Sequence, residues 1–277
     1  MAHTLNFKGH RLTYYVEGKG ESILFLHGWP TNAQLWSDQV VALKDNYQCI
    51  RIDWPGFGNS DKPSDYQYTF THKKEILSQL MAEILAPEEK INLVAHDIGG
   101  PAAILWADEN PEKVKRLILL NTVVYPMKTP LDASSEFILH TPLLRDIFVS
   151  PFGIRQVLKT NTKSGRSGLK EKIDEICAPF LQVESAIKRR TLTEPLGNRK
   201  KNEVSGLSHK FKKLEAEKHL IIAAQDPLCY AHIKKLSEEN PEVPRHYIEK
   251  CGHFIAIDQP EKLNAILFKI LDSQASF

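Results

Sequence analysis

The strongest constraint on the fold of this chain lies at residues 91–106, where a strand pattern runs through small residues straight into a helix pattern. The first five residues are mostly apolar, as in a short buried strand, and the last five are typical of a helix. Between them, Asp97 is flanked by Ala95, Gly99 and Gly100. Small residues let strand and helix pack closely, so that the turn pushes its central side chain out at the sheet edge. The pattern indicates a nucleophile elbow with aspartate at its centre.

Aspartate at this central position limits the chemistry that the turn can support. A carboxylate that attacks an ordinary ester gives a reactive anhydride, whereas attack on an sp³ carbon bearing a leaving group gives an alkyl ester. Halides and the oxygen of a strained epoxide are such leaving groups. The alternative is a plain strand–loop–helix junction in which Asp97 only caps the helix.

The composition favours a soluble globular protein over a nucleic-acid-binding, membrane or disulfide-rich protein. The 277 residues are 42% hydrophobic, which is enough for one large domain or a core with an insertion. The net charge of +2 gives no reason to expect nucleic acid or an anionic membrane as a partner. The four cysteines lack a metal-binding spacing and fit a reducing compartment. With no leader pattern and no apolar run of about 18 residues, we predict a cytoplasmic protein.

Short apolar runs alternate with helical patterns along most of the chain. The runs that predict strands are 23–26, 49–53, 91–95, 117–120, 220–224 and 247–248. This alternation predicts an α/β fold with a mostly parallel sheet. Residues 126–208 contain helical patterns but no buried strand pattern. We therefore predict a core formed by 1–125 and 209–277, with 126–208 as a helical cap.

Three candidate catalytic residues follow predicted strands, where open α/β sheets place their ligands. They are Asp97, Asp226 and His253, in the chain order nucleophile, acid, base that is typical of elbow-type hydrolases. Each alone is a weak signal, since a lone histidine is usually a core or surface residue and Asp226 before Pro227 could simply begin a turn. Together they predict one catalytic constellation.

Four motifs carry a family resemblance that covers nearly the whole chain. The chain resembles the α/β-hydrolase fold, and within it the aspartate-nucleophile branch of epoxide hydrolases and haloalkane dehalogenases. The motifs are His27-Gly28-Trp29-Pro30, Gly56-Phe57-Gly58-Asn59-Ser60-Asp61-Lys62-Pro63, His96-Asp97-Ile98-Gly99-Gly100 and Gly252-His253-Phe254.

The resemblance implies a role for each site residue. Asp97 would attack carbon, and the backbone N–H groups of Trp29 and Ile98 would form the oxyanion hole for the second step. His253 would activate the water that cleaves the ester, and Asp226 would orient His253 and stabilise its imidazolium. The reaction would need no metal or organic cofactor, and its partners would be a small apolar organic substrate and water.

The acid of this branch can follow either of two strands. After 117–120 the chain has Asn121, and after 220–224 it has Asp226. Asparagine cannot supply the carboxylate, so we assign the role to Asp226.

The leaving-group site departs from the pattern of both relatives. Haloalkane dehalogenases usually have a tryptophan directly after the nucleophile, where this chain has Ile98, and the cap contains no tryptophan. The indole of Trp29 either donates to a halide or epoxide oxygen or only walls the pocket. Epoxide hydrolases usually protonate the leaving oxygen with two cap tyrosines or a histidine–tyrosine pair, but 126–208 contains no tyrosine. Tyr125 and His140 are the candidates for such a pair.

Some epoxide hydrolases have isoleucine after the nucleophile, so we favour epoxide opening over dehalogenation of a haloalkane or haloacid. A strained lactone is a further possible substrate. A non-catalytic receptor or scaffold on the same fold is the alternative of another class. Residues 188–213 carry nine Lys/Arg against two Glu, which indicates a solvated rim or a patch that steers an anionic substrate or partner. The oligomeric state does not follow from the sequence.

Overall fold

An eight-stranded sheet forms the frame of the protein. The structure, a computed structural model, describes residues 1–126, 137, 138, 140–181, 183, 193 and 201–272. The strands lie in the order β1-β2-β4-β3-β5-β6-β7-β8. Their bounds are β1 Ala2–Phe7, β2 His10–Glu17, β3 Glu21–Leu26, β4 Tyr47–Ile52, β5 Ile91–Asp97, β6 Val114–Thr122, β7 Glu217–Ala223 and β8 Arg245–Ile248.

The sheet is parallel from β4 to β8 and antiparallel at one edge. β1 pairs with β2, and β2 with β4, in antiparallel register, whereas every later pair is parallel. All seven residues of β5 are buried, as expected for a central strand covered on both faces. The parallel strands carry the loops after β3, β5, β6 and β7 to the same end of the sheet, which is where the candidate residues lie. The predicted α/β-hydrolase fold is confirmed.

Helices follow most strands and flank the sheet. Those of the core are α1 Ser37–Leu43, α2 Phe70–Ile84, α3 Gly99–Glu109, α9 Tyr230–Glu239, α10 Ile255–Asp258 and α11 Pro260–Leu271. Between β6 and β7 lie α4 Pro142–Phe148, α5 Pro151–Thr160, α6 Leu169–Leu181, α7 Lys201–Val204 and α8 Leu207–Lys213. Among the described residues, no helix is both long and apolar enough to cross a membrane.

The described part of the predicted cap is helical, and its last helix, α8, also packs against the core. The boundary predicted at 208 falls inside α8, which contacts α3. Lys210 of α8 forms an ion pair with Asp108 of α3, so part of the basic segment is neutralised there. The division into core and cap stays a prediction.

Candidate active site

The turn after β5 holds Asp97 in the left-handed backbone conformation. Its φ is 50°, in a region that residues other than glycine, asparagine and aspartate rarely adopt. A Cβ at Gly99 would lie 2.7 Å from the carbonyl oxygen of Leu26, and one at Gly100 would overlap the side chain of Thr122. The Thr122 hydroxyl donates to the Asp97 carbonyl at 2.5 Å and secures the turn. The small residues flanking Asp97 are therefore required by close packing, as the elbow pattern predicts.

The backbone around Asp97 also presents the two residues expected at an oxyanion hole. The N-cap of α3 is Ile98, and no side chain makes a capping hydrogen bond there. The backbone N–H of Ile98 therefore lies at the N-terminus of α3, where helix N–H groups lack intrahelical partners. A Cβ at Gly28 would overlap that of Asp97, so Gly28, the residue before Trp29, packs directly against the nucleophile.

The structure brings the three predicted catalytic side chains into one buried chain of contacts. The Nε2 atom of His253 lies 3.4 Å from Oδ2 of Asp97, and its Nδ1 atom lies 2.9 Å from Oδ2 of Asp226. All three residues are almost completely buried. This is the geometry that a nucleophile, a base and an orienting acid need.

Asn121 supports the carboxylate of Asp226, a contact that the sequence did not reveal. Its Nδ2 atom donates to Oδ2 of Asp226 at 2.6 Å and to the carbonyl of Ala223 at 3.0 Å. Its Oδ1 atom accepts from the N–H of Ala223 at 3.1 Å, while Oδ1 of Asp226 accepts from the N–H of Leu228 at 2.7 Å. In the sequence, the one sign of this role was that Asn121 follows the strand pattern 117–120, the other position where the acid of this branch can lie.

The charges of the site stabilise a protonated His253. Burial alone would lower the pKa of His253, but the carboxylates of Asp226 and Asp97 outweigh it and raise the pKa to about 9. Burial alone would raise the pKa of the Asp226 carboxyl, but the charge and hydrogen bond of His253 lower it below its ordinary range. The two shifts agree on an ion pair between Asp226 and His253.

Two further buried histidines hold the loops around the site and are uncharged. His96 packs its ring 4.5 Å from that of His253, and its Nε2 atom donates to the His253 carbonyl at 2.9 Å. Burial lowers the pKa of His96 to about 4. Nε2 of His27 accepts from the backbone N–H of Trp54 at 3.1 Å, and burial lowers the pKa of His27 to about 3. Both rings therefore act as neutral hydrogen-bonding groups.

The loop that carries His253 is fastened to the segment after α5. The backbone N–H of His253 donates to the carbonyl of Asn161 at 2.8 Å, and a Cβ at Gly252 would overlap that carbonyl. The buried carboxylate of Asp258 accepts from the N–H groups of Gly252 at 2.7 Å and Lys163 at 2.8 Å. The predicted cap therefore sets the position of the base through its backbone.

Apolar side chains from both predicted units meet beside the site. The ring of Trp29 stacks on that of Phe148 in α4, with centroids 5.6 Å apart. Phe57 meets Phe180 of α6 edge to face at 6.1 Å. These two ring contacts join described helices of the predicted cap to loops of the core.

The hydroxyl of one candidate proton donor binds a carboxylate, and the other candidate is exposed. The hydroxyl of Tyr125 donates to Oε2 of Glu239 at 2.6 Å, and Nζ of Lys235 lies 4.4 Å from the tyrosine ring centroid. Burial, and next the hydrogen bond to Glu239, raise the pKa of Tyr125. His140 is exposed.

Cys229, which the sequence did not single out, borders the catalytic pair. One donor atom each from Asp97, Cys229 and His253 lies within 4.8 Å of the other two, and all three residues are buried. Oxygen, sulfur and nitrogen donors at this spacing would suit a zinc-type ion. Such an ion would engage the atoms that the pair needs for attack on carbon and for proton transfer.

Comparisons with known proteins identify the family to which the chain belongs. The description "alpha/beta hydrolase fold" applies to the family that matches residues 21–260. The cis-3-alkyl-4-alkyloxetan-2-one decarboxylase of Shewanella oneidensis is 31% identical over 271 residues, covering 94% of this chain and 85% of the relative. Haloalkane dehalogenase 2 of Mycobacterium bovis is 26% identical, covering 94% and 91%.

A solved structure extends the likeness in fold to epoxide hydrolases. The epoxide hydrolase CorEH has a TM-score of 0.79 at 21% identity, with 97% of each chain covered. With the family match over residues 21–260 and a relative that is 31% identical over 271 residues, the chain is an enzyme of the alpha/beta hydrolase fold family, with haloalkane dehalogenases and epoxide hydrolases among its relatives.

Proposed function

We propose that this α/β-hydrolase uses Asp97 as a nucleophile to open a carbon–heteroatom bond, forming an alkyl ester that a water activated by His253 then cleaves. The observation that supports it is the contact chain in which Nε2 of His253 lies 3.4 Å from Asp97 and Nδ1 lies 2.9 Å from Asp226. A serine nucleophile would need His253 as a base for the first step, whereas an ionised carboxylate needs none. The base is therefore left for the second step.

Formation of the ester itself makes His253 available as a base. In the resting site, the negative charge of Asp97 helps to hold the proton on His253. Esterification removes that charge, so the pKa of His253 falls and its neutral form can accept a proton from water. The N–H groups of Trp29 and Ile98 would then hold the oxyanion formed as water attacks the Asp97 carbonyl carbon.

Which leaving group the site can release depends on how the negative charge on that group is neutralised. In-line displacement puts the leaving atom on the far side of the carbon from Asp97, away from His253. An epoxide leaves a basic alkoxide that needs a proton donor, and Tyr125 and His140 stay our candidates for it. The hydroxyl of Tyr125 is hydrogen-bonded to Glu239 and His140 is exposed, so epoxide opening requires one of them to reorient.

A second candidate substrate is an oxetan-2-one, the strained lactone acted on by the relative that is 31% identical over 271 residues. Attack of Asp97 on ring carbon 4 breaks the carbon–oxygen bond and releases a carboxylate, which needs no proton donor. Loss of CO₂ from that carboxylate would form a carbon–carbon double bond and expel Asp97 as a free carboxylate. The atoms balance without water, so this route yields an alkene and CO₂.

A substrate panel with product detection tests both candidates. Epoxides, haloalkanes and cis-3,4-dialkyloxetan-2-ones are each incubated with the wild type and with Asp97→Asn, and diol, halide, alkene and CO₂ are measured. We expect turnover of at least one strained oxygen ring by the wild type and none by Asp97→Asn. Equal turnover by the two proteins would remove Asp97 from the mechanism. Absence of a product with every class would point to a binding protein on this fold.

A further inference from the structure

A lysine lies in the interior of the protein, away from solvent. Lys73 of α2 is 1% exposed, and among the described residues its Nζ atom has no partner. Nζ lies 5.2 Å from the ring centroid of Trp54, a distance at which a cation is attracted by an aromatic face. A buried ammonium that gives up its hydrogen bonds to water costs several kcal/mol, so a chain retains one where its charge is used.

The surroundings of Lys73 link it to the nucleophile. Trp54, which lies against Lys73, donates through its indole N–H to the carbonyl of His27 at 2.9 Å. The next residue, Gly28, abuts Asp97. The charge of Lys73 also helps to lower the pKa of His27, after the larger effect of burial. Lys73 therefore lies behind the loop that forms one side of the catalytic turn.

Two carboxylates act on the charge of Lys73. Burial lowers the pKa of Lys73 to about 8, and the attraction of Glu203 and Asp97 opposes that shift. Glu203 is only half-buried and accepts from the backbone N–H of Phe70 at 3.5 Å. Glu203 has the larger of the two effects on Lys73, and Asp97, which is 1% exposed, is the buried partner.

Lys73 offsets the net negative charge of the three catalytic side chains, and it is also attracted by the half-buried Glu203. Asp97 and Asp226 bring two negative charges and a protonated His253 brings one positive charge. Lys73, protonated at neutral pH, brings the second. A buried carboxylate without a counter-ion takes up a proton instead, and a protonated Asp97 is no nucleophile.

We propose that Lys73 is a positioning residue whose buried ammonium is the counter-ion of Asp97 and keeps this carboxylate ionised for attack on carbon. The inference rests on the proposed role of Asp97 as the nucleophile. Lys73 touches no reacting atom, and its effect passes through the charge of Asp97.

The first test needs no substrate. In protein with ¹³C-labelled lysine, the NMR titration of Lys73, assigned with Lys73→Met, is followed in the wild type, in Asp97→Asn and in Asp226→Asn. Loss of the carboxylate at 97 should lower the titration midpoint of Lys73 by roughly half a pH unit or more, and loss of that at 226 should lower it less. An unchanged midpoint in Asp97→Asn would overturn the proposal.

The second test measures the first turnover against pH with an electrophile that alkylates the wild type. Lys73→Met should alkylate about tenfold more slowly at neutral pH, if only about a tenth of Asp97 is then ionised, and should regain its rate at higher pH. Lys73→Arg should keep most of the rate. The control is Lys74→Met, which removes a lysine from the same helix that is paired with Glu109.

The two tests fail independently. Wild-type rate and profile in Lys73→Met, or in Lys73→Gln if the methionine variant does not fold, would make Lys73 a structural residue. If no electrophile alkylates the wild type, the proposed function fails, while the NMR titration still decides whether Lys73 and Asp97 are coupled.

Discussion

Asn121 donates a hydrogen bond of 2.6 Å to the same oxygen of Asp226 that His253 contacts at 2.9 Å. One carboxylate oxygen therefore receives two side-chain donors, while the other receives the backbone N–H of Leu228. Asn121 occupies the rival position for the acid, and from there it fixes the carboxylate of Asp226, which orients the base.

We predict that Asp226→Asn reduces turnover on the order of 10²- to 10⁴-fold, because the imidazolium of His253 loses its buried counter-charge and His253 loses its orientation. Asn121→Ala should cost less, about tenfold, since the carboxylate stays but is held by fewer bonds. Steady-state kinetics with thermal melting as a folding check measures both. Near-full activity in a folded Asp226→Asn variant would show that another group orients His253.

The sequence was sufficient for the residues whose signal is local. The elbow at Asp97 could be predicted because strand, small residues and helix are adjacent in the chain. Asp226 and His253 each follow a strand pattern, and parallel strands bring their ends to one edge of the sheet. Fold and triad positions therefore follow from periodicity and chain order.

The supporting residues could not be predicted in this way, because their contacts join distant parts of the chain. Asn121 and Asp226 are 105 positions apart, and His96 and the His253 carbonyl are 157 apart. No periodic pattern encodes such pairs. Lys73 did leave a signal, since it is three and four residues before Ile76 and Leu77, on the apolar stripe of α2.

We predict that Asp97→Asn lowers the pKa of His253 from about 9, because Asp97 is one of the two carboxylates that raise it. The neutral amide imitates the loss of charge on esterification. NMR titration of the imidazole, assigned with His253→Gln, measures the shift. A midpoint that stays at about 9 would mean that ester formation does not release the base, contrary to the proposed second step.

We predict that Lys73→Met stabilises the fold at neutral pH. A lysine whose pKa falls from 10.5 to about 8 on folding binds its proton less tightly in the folded protein. Below pH 8 this lowers the free energy of unfolding by about 3 kcal/mol, and the aromatic contact restores roughly 1–2 kcal/mol of that loss. We therefore expect the free energy of unfolding to rise by about 1–2 kcal/mol.

The pH dependence of stability distinguishes the electrostatic effect of Lys73→Met from an effect of altered packing. Above about pH 8 the folded protein no longer holds the proton on Lys73, while the unfolded chain holds it up to about 10.5, so the cost disappears as the pH rises through this window. The advantage of Lys73→Met should be largest at pH 7 and smaller at pH 10 in denaturant titrations. Lys74→Met should change little at either pH. A constant difference would point to packing instead.

We predict that exchanging the helical cap, proposed as 126–208, changes substrate range while the triad still works, provided that residues 161–164 are kept. The carbonyl of Asn161 accepts from the N–H of His253, and Lys163 donates to Asp258 below it. Chimeras with and without this segment are compared on one substrate panel. We expect activity only where it is retained, and an unchanged profile in an active chimera would show that the cap does not set specificity.

Removing His253 should separate the two chemical steps. Asp97 needs no base to attack carbon, so His253→Gln should form the alkyl ester from an epoxide or halide and then stall, because no group activates water against it. Mass spectrometry should find the alkyl group on the peptide that contains Asp97. With an oxetan-2-one that loses CO₂, the same variant should keep turning over, since that route consumes no water.

Heavy-oxygen water identifies the atom that water attacks. In a single turnover of the wild type with a hydrolysed substrate, water that attacks the ester carbonyl leaves ¹⁸O in the carboxylate of Asp97, and the product carries oxygen from the enzyme. We expect label in the Asp97 peptide and unlabelled first product. Asp226→Asn, with its base poorly oriented, should show the same placement at a lower rate. Label in the first product alone would mean that water attacks the substrate carbon directly, with Asp97 as its base.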